Sequence, residues 1–274
     1  MMAPDGLKRA HIAMQLLSLK AEEGGLGAEI AATGGARLLL QTMLLHPESS
    51  LRLGACELIS ACMLEADERF IAQAMEQRLP LALLRVVREE GRRVQKQMGF
   101  DEHAVDPDLP LRRLSVPMLG QLLSCDERAA QLLAEPNAVS VFLEACSSPD
   151  AIVQRGACAL ALTILRRADA HSASLLASVE ADPASLAACV IKAVSPPVPS
   201  DETDGAAKTD GAAETQAPLE LMLALSRECV PFKSELLASD AVDLITRARE
   251  ELDASDAGSR RFLLDKTLVC LSSS

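Results

Sequence analysis

One stretch of this 274-residue chain, ATGGARLLLQTMLLHPESSLRLGACELISACMLE at residues 32–65, recurs 102 residues later as AEPNAVSVFLEACSSPDAIVQRGACALALTILRR at residues 134–167. The two stretches align without a gap and share seven identical residues, namely Ala32, Ala36, Pro47, Gly54, Ala55, Cys56 and Leu58. In both, apolar residues recur at spacings of three and four on either side of a proline, which is typical of two helices joined by a turn. The small residues near the start of the second helix allow a neighbouring helix to approach closely. A helical unit repeated within one chain indicates a solenoid.

Weaker copies of the unit fill the rest of the chain. The other predicted helices are Gln77–Glu90, Leu111–Cys125, Asp126–Ala134, His171–Val179, Asp182–Val194, Pro218–Cys229, Asp240–Glu250 and Gly258–Leu271, with Leu7–Lys20 as an N-terminal capping helix. Three helices in a unit of about 40 residues is the armadillo pattern. The sequence therefore predicts an all-α, armadillo-type right-handed solenoid of four to five three-helix units, forming a single domain over residues 1–274.

Two segments interrupt the pattern. Residues 91–110 separate the second and third helices of one unit, and we expect them to be an insertion. Residues 196–217 are rich in Pro, Ala, Asp and Thr and carry five acidic residues against one lysine, Lys208. Because such a composition cannot bury a core, we expect a disordered loop there.

Composition excludes several classes of protein. The net charge is −12, so a nucleic-acid backbone would be repelled. Aromatic residues make up only 2% of the chain, with no Tyr and no Trp, which argues against a β-sandwich or barrel and against base-stacking modules. Since no apolar run is long enough to cross a bilayer and the first residues lack an apolar signal core, we expect no membrane association.

The eight cysteines show no CxxC pair, the closest being Cys56 and Cys62. This spacing disfavours structural zinc, and most of the cysteines fall in apolar helical stretches. We interpret them as small buried hydrophobic residues of a cytosolic protein. No phosphate-binding loop, zinc-protease motif, nucleophile elbow or complete dinucleotide fingerprint is present, so we predict a monomeric protein that is not an enzyme and uses no cofactor or metal.

In a solenoid of three-helix units, the long third helices line the concave side. If Ala55 and Ala157 begin the buried face of two such helices, helical spacing gives the residues that face the concave side. These predicted partner-binding residues are Glu57, Ala61, Glu65, Gln121, Ser124, Ala159, Thr163, Arg166 and Arg167. The positions at which peptide-binding armadillo proteins place an asparagine ladder hold Ala61, Gln121, Thr163 and Ala224, which favours a folded partner over an extended peptide.

Several short sequence motifs of this chain resemble those of one protein family. The stretch Leu51-Arg52-x-x-Ala55-Cys56-x-Leu58-Ile59-x-x-Cys62, followed by Gln73 and a helix containing residues 83–87 (LLRVV), resembles the second armadillo unit of the cytosolic nucleotide exchange factors (Fes/HspBP type) of heat-shock protein 70. The N-terminal Ala13-Met14-x-Leu16-Leu17 and the run from Glu250 to Ser273 resemble the first helix and the C-terminal end of the same family.

This resemblance implies a mechanism without catalytic residues. Such factors wrap their concave face around one lobe of the chaperone's nucleotide-binding domain and loosen ADP. Because the factor prefers the open form of that domain, its binding lowers the affinity for nucleotide reciprocally. The alternatives are a generic armadillo scaffold that joins other proteins, including a client-binding co-chaperone, and, more remotely, an enzyme.

Overall fold

The computed structural model describes Leu17 and residues 25–97, 108–194, 216–250 and 259–272. Within these residues every regular element is a helix and no strand occurs. The expected capping helix Leu7–Lys20 lies outside the described residues, except for Leu17.

Between residues 25 and 272, the described ranges contain fifteen helices, which follow one another in five groups of three. They are α1 (Leu26–Ala32), α2 (Gly35–Leu45), α3 (Ser49–Leu64), α4 (Glu68–Glu76), α5 (Leu79–Gln97), α6 (Leu109–Leu123), α7 (Asp126–Leu133), α8 (Ala138–Ala145), α9 (Ala151–Arg166), α10 (Ala170–Ala181), α11 (Pro183–Val194), α12 (Gln216–Glu228), α13 (Val230–Ala238), α14 (Ala241–Glu250) and α15 (Ser259–Ser272). In the first and third groups, a short turn at residues 46–48 and 146–150 separates the second helix from the third. The predicted three-helix unit is therefore confirmed.

The 102-residue offset extends to the ends of the helices. Both ends of α3 map onto the ends of α9 at this offset, and the first residue of α4 maps onto the first residue of α10. Ala66 and Ala168, which follow the two long helices at the same offset, both adopt a left-handed backbone, with φ of 54° and 52°. The two loops thus share this left-handed residue, whereas the aspartate that follows it differs, with ψ of 104° at Asp67 and −171° at Asp169.

A second left-handed residue recurs before the second helix of three groups. It is Gly34 before α2, Arg78 before α5 and Asn137 before α8, with φ of 69°, 63° and 65°. Glycine and asparagine favour this conformation, whereas arginine adopts it at a cost. Because Arg78 provides no local signal, the sequence does not reveal the turn before α5.

Contacts divide the chain into two compact halves, residues 1–138 and 139–274. In a repeat protein each unit mainly contacts its neighbours, so such a division is expected even within one domain. The expectation of a single domain over residues 1–274 remains a prediction.

In the N-terminal half, α3 packs between α2 and α6, and α6 also packs on α5. Met43, Ile59, Leu83 and Leu119, one from each of these helices, are fully buried. Each such side chain contributes about 1.5–3 kcal/mol when it leaves water. The third helices α3 and α6 are therefore held side by side by a continuous apolar core.

The C-terminal half repeats this arrangement. The helix α12 packs between α9 and α15, and α11 packs on α12 and α13. Phe142, Ile164, Leu225 and Phe232 are fully buried there. With only five phenylalanines in the chain, this core consists mainly of leucine, valine and alanine, which suits closely spaced helices.

The two predicted insertions are shorter than expected. The helix α5 continues to Gln97, because residues 91–97 contain no proline and five good helix formers. The helix α6 begins at Leu109 and α12 at Gln216, so the ends of both predicted insertions are helical. What remains, residues 98–107 and 195–215, lies outside the described residues.

Among the described helices, none is by itself long and apolar enough to cross a membrane. The helices α10 and α11 reach that length only together, and the chain bends by 100° between them.

Candidate interaction surfaces

The third helices α3 and α6 lie side by side in the N-terminal half and expose one face each. On α3, Glu57 is exposed and Ala61 is half-buried, and on α6, Gln121 is half-buried and Ser124 is exposed. The helical spacing used in the sequence analysis therefore selects solvent-accessible positions on two adjacent helices. We call these four residues the N-terminal surface.

One atom of the N-terminal surface lacks a hydrogen-bond partner. The side-chain oxygen Oε1 of Gln121 is buried and accepts no hydrogen bond from any described residue. An acceptor buried without a partner costs about 1–3 kcal/mol. The hydroxyl of Ser124 is already used, since it donates to the backbone oxygen of Gln121 at 2.7 Å.

Glu65, also predicted to face a partner, forms a hydrogen bond within the chain. Its Oε2 accepts a hydrogen bond of 3.2 Å from the backbone N–H of Gly27, in the first turn of α1. A carboxylate is favourable at this end of a helix, where backbone N–H groups are unsatisfied. Glu65 therefore links the end of α3 to the start of α1, although the two bonded residues are 38 positions apart in the sequence.

In the C-terminal half, the corresponding surface lies on α9 and α12, which pack against each other. Ala159 and Thr163 are half-buried on the outer face of α9, and Arg166 is exposed near its end. The guanidinium of Arg166 pairs with the carboxylate of Glu220 on α12. We call Ala159, Thr163, Arg166 and Glu220 the C-terminal surface.

Arg167 bonds to a residue close to it in the sequence. Its Nε donates to Oδ2 of Asp169 at 3.1 Å, while Oδ1 of Asp169 accepts from the backbone N–H groups of His171 and Ser172 at the start of α10. Partial burial works to raise the pKa of Asp169, but these hydrogen bonds outweigh it and hold the pKa below its usual value. Arg167 therefore supports a helix cap, which is a structural reason for its position.

Equivalent positions of the two surfaces differ in chemistry. At the 102-residue offset, Glu57 corresponds to Ala159 and Ala61 to Thr163, whose hydroxyl donates to the backbone oxygen of Ala159 at 2.8 Å. A repetitive extended peptide requires the same side chain at each repeat, whereas one of these positions changes from charged to apolar and the other from apolar to polar. The surfaces share only small side chains at their centres.

A further pair of equivalent residues joins the second helix of a unit to the third. Arg52 donates to the backbone oxygen of His46 at 2.9 Å, and it pairs with Asp108 at the start of α6. At the 102-residue offset, Gln154 is buried and its Nε2 donates to the backbone oxygens of Cys146 and Cys189 at 3.0 and 3.1 Å. The sequence did not predict this bonding role for either residue, because Arg and Gln share no motif, although they occupy the same repeat position.

Most of the cysteines are buried thiols. Burial raises the pKa of Cys56 and Cys62 to about 12 and that of Cys146 well above its usual value, where a hydrogen bond with Cys158 contributes most. These thiols are neutral at physiological pH and therefore unreactive. The described residues contain no group of three or more His, Cys, Asp or Glu side chains that could hold a metal ion.

No family model matches the chain, and a search of curated proteins gives no significant match. Solved structures of armadillo proteins are similar to it in fold. A computationally designed armadillo repeat protein for modular peptide recognition is 12% identical, with a TM-score of 0.62, and the alignment covers 98% of this chain and 94% of that one.

A designed armadillo repeat protein in complex with the peptide (KR)4 is 13% identical, with a TM-score of 0.61, covering 98% of this chain and 95% of that one. At such low identity the likeness shows the fold alone. Together with the five groups of three helices, it establishes that this chain has an all-α, armadillo-type repeat fold.

Proposed function

We propose that this chain is a cytosolic protein-interaction module that binds the nucleotide-binding domain of a heat-shock protein 70 chaperone and accelerates its release of ADP. The proposal rests on the sequence resemblance to the exchange factors of that chaperone. The observation that carries its structural part is the presence of small, half-buried side chains, Ala61 and Thr163, at the centres of the two surfaces.

Small side chains at these positions suit a folded partner because they let its backbone and side chains approach the third helices closely. Around them lie groups that can form polar contacts, including the Gln121 amide and the charged side chains of Glu57 and Arg166. In the proposed mechanism, no residue of this chain performs chemistry. The module stabilises the open form of the chaperone domain, and the affinity for ADP falls by the same factor.

The test replaces a small residue of the surface with a long charged one. In Ala61→Arg, the added guanidinium would clash with a bound domain and lose water without a partner, which costs at least a few kcal/mol. We expect stimulation of ADP release, measured by stopped-flow displacement of a fluorescent ADP analogue, to fall at least ~10-fold. Helix content and melting temperature should stay near those of the wild type, because Ala61 does not fill the core.

Gln41→Arg is the control, since Gln41 is exposed on the second helix α2 rather than on a third helix. It should retain stimulation close to that of the wild type. Equal stimulation by both variants would show that the N-terminal surface is not used. A wild-type protein that never accelerates release would exclude the exchange activity.

In that case the alternative function would apply, namely an armadillo scaffold that joins other proteins or a client-binding co-chaperone. It is supported by the fold and by the solved neighbours designed for peptide recognition. Capture of the chaperone domain without any change in nucleotide release would favour this second function, and the same Ala61→Arg and Gln41→Arg pair would map the contact.

A further inference from the structure

Two cysteine thiols meet inside the third group of helices. Cys146 directly follows α8, and Cys158 lies in the middle of α9. The thiol of Cys158 donates a hydrogen bond to Sγ of Cys146, with 3.9 Å between the two sulfur atoms. Both side chains are fully buried. The fold thus brings two sulfur atoms together on the second and third helices of one unit.

The pair occurs in one copy of the 102-residue repeat and not in the other. At this offset, Cys158 corresponds to Cys56 and Cys146 corresponds to Leu44. The thiol of Cys56 donates instead to the backbone oxygen of Leu111, at 4.0 Å. Since the other copy has a leucine at the position of Cys146, the packing of such a unit does not by itself require a second thiol there.

The buried pair lies close to solvent-accessible groups. Ser147, the residue after Cys146, is exposed, and its hydroxyl oxygen accepts a hydrogen bond of 3.1 Å from the thiol of Cys189 on α11. Cys189 is half-buried. A small local opening around Ser147 would therefore bring the pair into contact with a small oxidant.

Two reactions of a thiol pair can be compared, namely metal binding and disulfide formation. The described residues contain no group of three suitable metal ligands, and thiols must lose their protons to bind a metal. The hydrogen bond with Cys158 and burial both raise the pKa of Cys146 well above its usual value, which opposes that loss. A disulfide carries no charge, so burial does not disfavour it as a product.

We propose that Cys146 and Cys158 form a disulfide bond when the protein is exposed to hydrogen peroxide. Peroxide oxidises one sulfur to a sulfenic acid, and its other oxygen leaves as water. The second sulfur then attacks the first, so the S–S bond forms while the S–O bond breaks and a second water leaves. Two thiols and one peroxide thus give one disulfide and two waters, with two electrons passing from sulfur to oxygen.

The reaction requires a small movement and is slow. A disulfide bond is about 2.05 Å long, so the two sulfur atoms must approach by about 1.9 Å from their separation of 3.9 Å. Because the thiolate is the reactive form and these thiols are neutral, we expect oxidation over minutes to hours. The bond would tie the end of α8 to α9, the helix that carries most of the C-terminal surface.

Peptide mapping tests the proposal directly, because trypsin separates the three cysteines of this region into residues 129–155, 156–166 and 168–192. The folded full chain is treated with hydrogen peroxide, its free thiols are blocked in denaturant, and the digest is analysed by mass spectrometry without reduction. We expect peptides 129–155 and 156–166 to be linked in at least tenfold excess over any other pair, and dithiothreitol should separate them. Absence of this product, or linkage of peptide 129–155 to peptide 168–192 in its place, would overturn the proposal.

The unfolded chain is the control for proximity in sequence, because Cys146 and Cys158 are only 12 positions apart. Oxidised in urea, it should give several linked pairs without a tenfold excess of one. The same excess in urea would show that the fold does not select this pair, and the proposal would then be wrong.

Cys189→Ser tests whether the neighbouring thiol takes part. The proposed reaction uses two sulfur atoms only, so the yield of the linked peptides should stay within twofold of the wild type. Loss of the product from a variant that circular dichroism shows to be folded would contradict the direct reaction. None of these measurements involves ADP, so the disulfide and the proposed exchange activity can fail separately.

Discussion

At the scale of single residues, the tightest constraint lies where α1 meets the start of α4. Gly27 sits in the first turn of α1, and a Cβ atom added there would lie 2.8 Å from the Cβ of Asp67 and 3.6 Å from the Cβ of Cys62. Its N–H also donates to Glu65. The absent side chain is therefore what allows α1 to contact this part of the repeat closely.

Gly27→Ala provides a test in which two effects have opposite signs. Helix propensity alone favours alanine by about 0.5–1 kcal/mol. Because the Cβ of Asp67 is fixed by the backbone, we expect the clash to dominate and the free energy of unfolding to fall by about 1–3 kcal/mol in urea denaturation. A stabilised variant would mean that α1 and α4 are not this close in solution.

A second prediction concerns pH and Asp169. Its pKa in the folded state lies below the value of about 3.9 expected when unfolded, so its carboxylate stabilises the fold above that pH. This contribution is lost as the pH falls below about 4 through the folded-state pKa. Asp169→Ala should lower the free energy of unfolding by about 1 kcal/mol at pH 7, as loss of a helix cap does.

Asp169→Asn is the control, because asparagine caps helices nearly as well but carries no charge. We expect it to cost less than alanine at pH 7. The difference in stability between wild type and Asp169→Asn, measured by urea denaturation, should shrink between pH 7 and pH 3. A difference that grows on acidification would contradict the assigned direction of the pKa shift.

The sequence predicted the positions of residues that depend on one helix alone, but not the roles of residues that contact distant parts of the chain. The outward positions of Glu57 and Ala61 follow from helical spacing within one element and were predicted. The bond between Glu65 and Gly27 spans 38 residues, and the bond between Gln154 and the backbone oxygen of Cys189 spans 35. No local pattern encodes such contacts, so they became visible only in the fold.

At the scale of the helices, the repeat could be recognised in the sequence where its two copies contain the same small residues. The Gly-Ala-Cys cluster in α3 and α9 fixed the alignment, and the ends of these helices differ by the same 102 residues. The end of α5 could not be predicted from the sequence. The helix continues past Gly91 because no helix-breaking residue follows, and no residue there marks its end. Helix ends marked by Gly or Pro are therefore predicted better than ends without such residues.

Gln154 provides a test of how the helices of one unit are joined. In Gln154→Leu, the backbone oxygens of Cys146 and Cys189 lose their side-chain donor in a buried site. We expect the free energy of unfolding to fall by about 2–4 kcal/mol, since each buried acceptor left without that bond costs about 1–3 kcal/mol. Thermal and urea denaturation both measure this change.

Gln131→Leu makes the same substitution at an exposed position of α7 and should change stability by less than about 0.5 kcal/mol. If the two variants are equally stable, Gln154 does not join α8 and α11. The expected contrast depends only on burial, because the chemistry of the substitution is identical.

At the scale of the whole chain, the buried and the exposed positions of the repeat differ in composition. Leucine, valine and alanine between helices form the two cores, whereas small and charged residues on the third helices remain exposed. Helical periodicity and the 102-residue repeat predicted this all-α fold, and the aromatic content of 2% agreed with it by arguing against a β-sandwich or barrel. The identity of the partner depends on the detailed chemistry of those exposed faces, which composition does not encode.

The last prediction concerns the acidic segment between α11 and α12. Residues 196–215 carry five acidic residues and few apolar ones, so their composition provides almost nothing to bury. Replacing them with an eight-residue Gly-Ser linker shortens the loop, and a shorter flexible loop costs slightly less entropy to close, about 0.6 kcal/mol for each halving. We therefore expect the melting temperature, followed by circular dichroism at 222 nm, to change by no more than a few degrees. A large drop would mean that the segment packs on the helices, and its acidic side chains would then have to be included in any account of the charged surface of this protein.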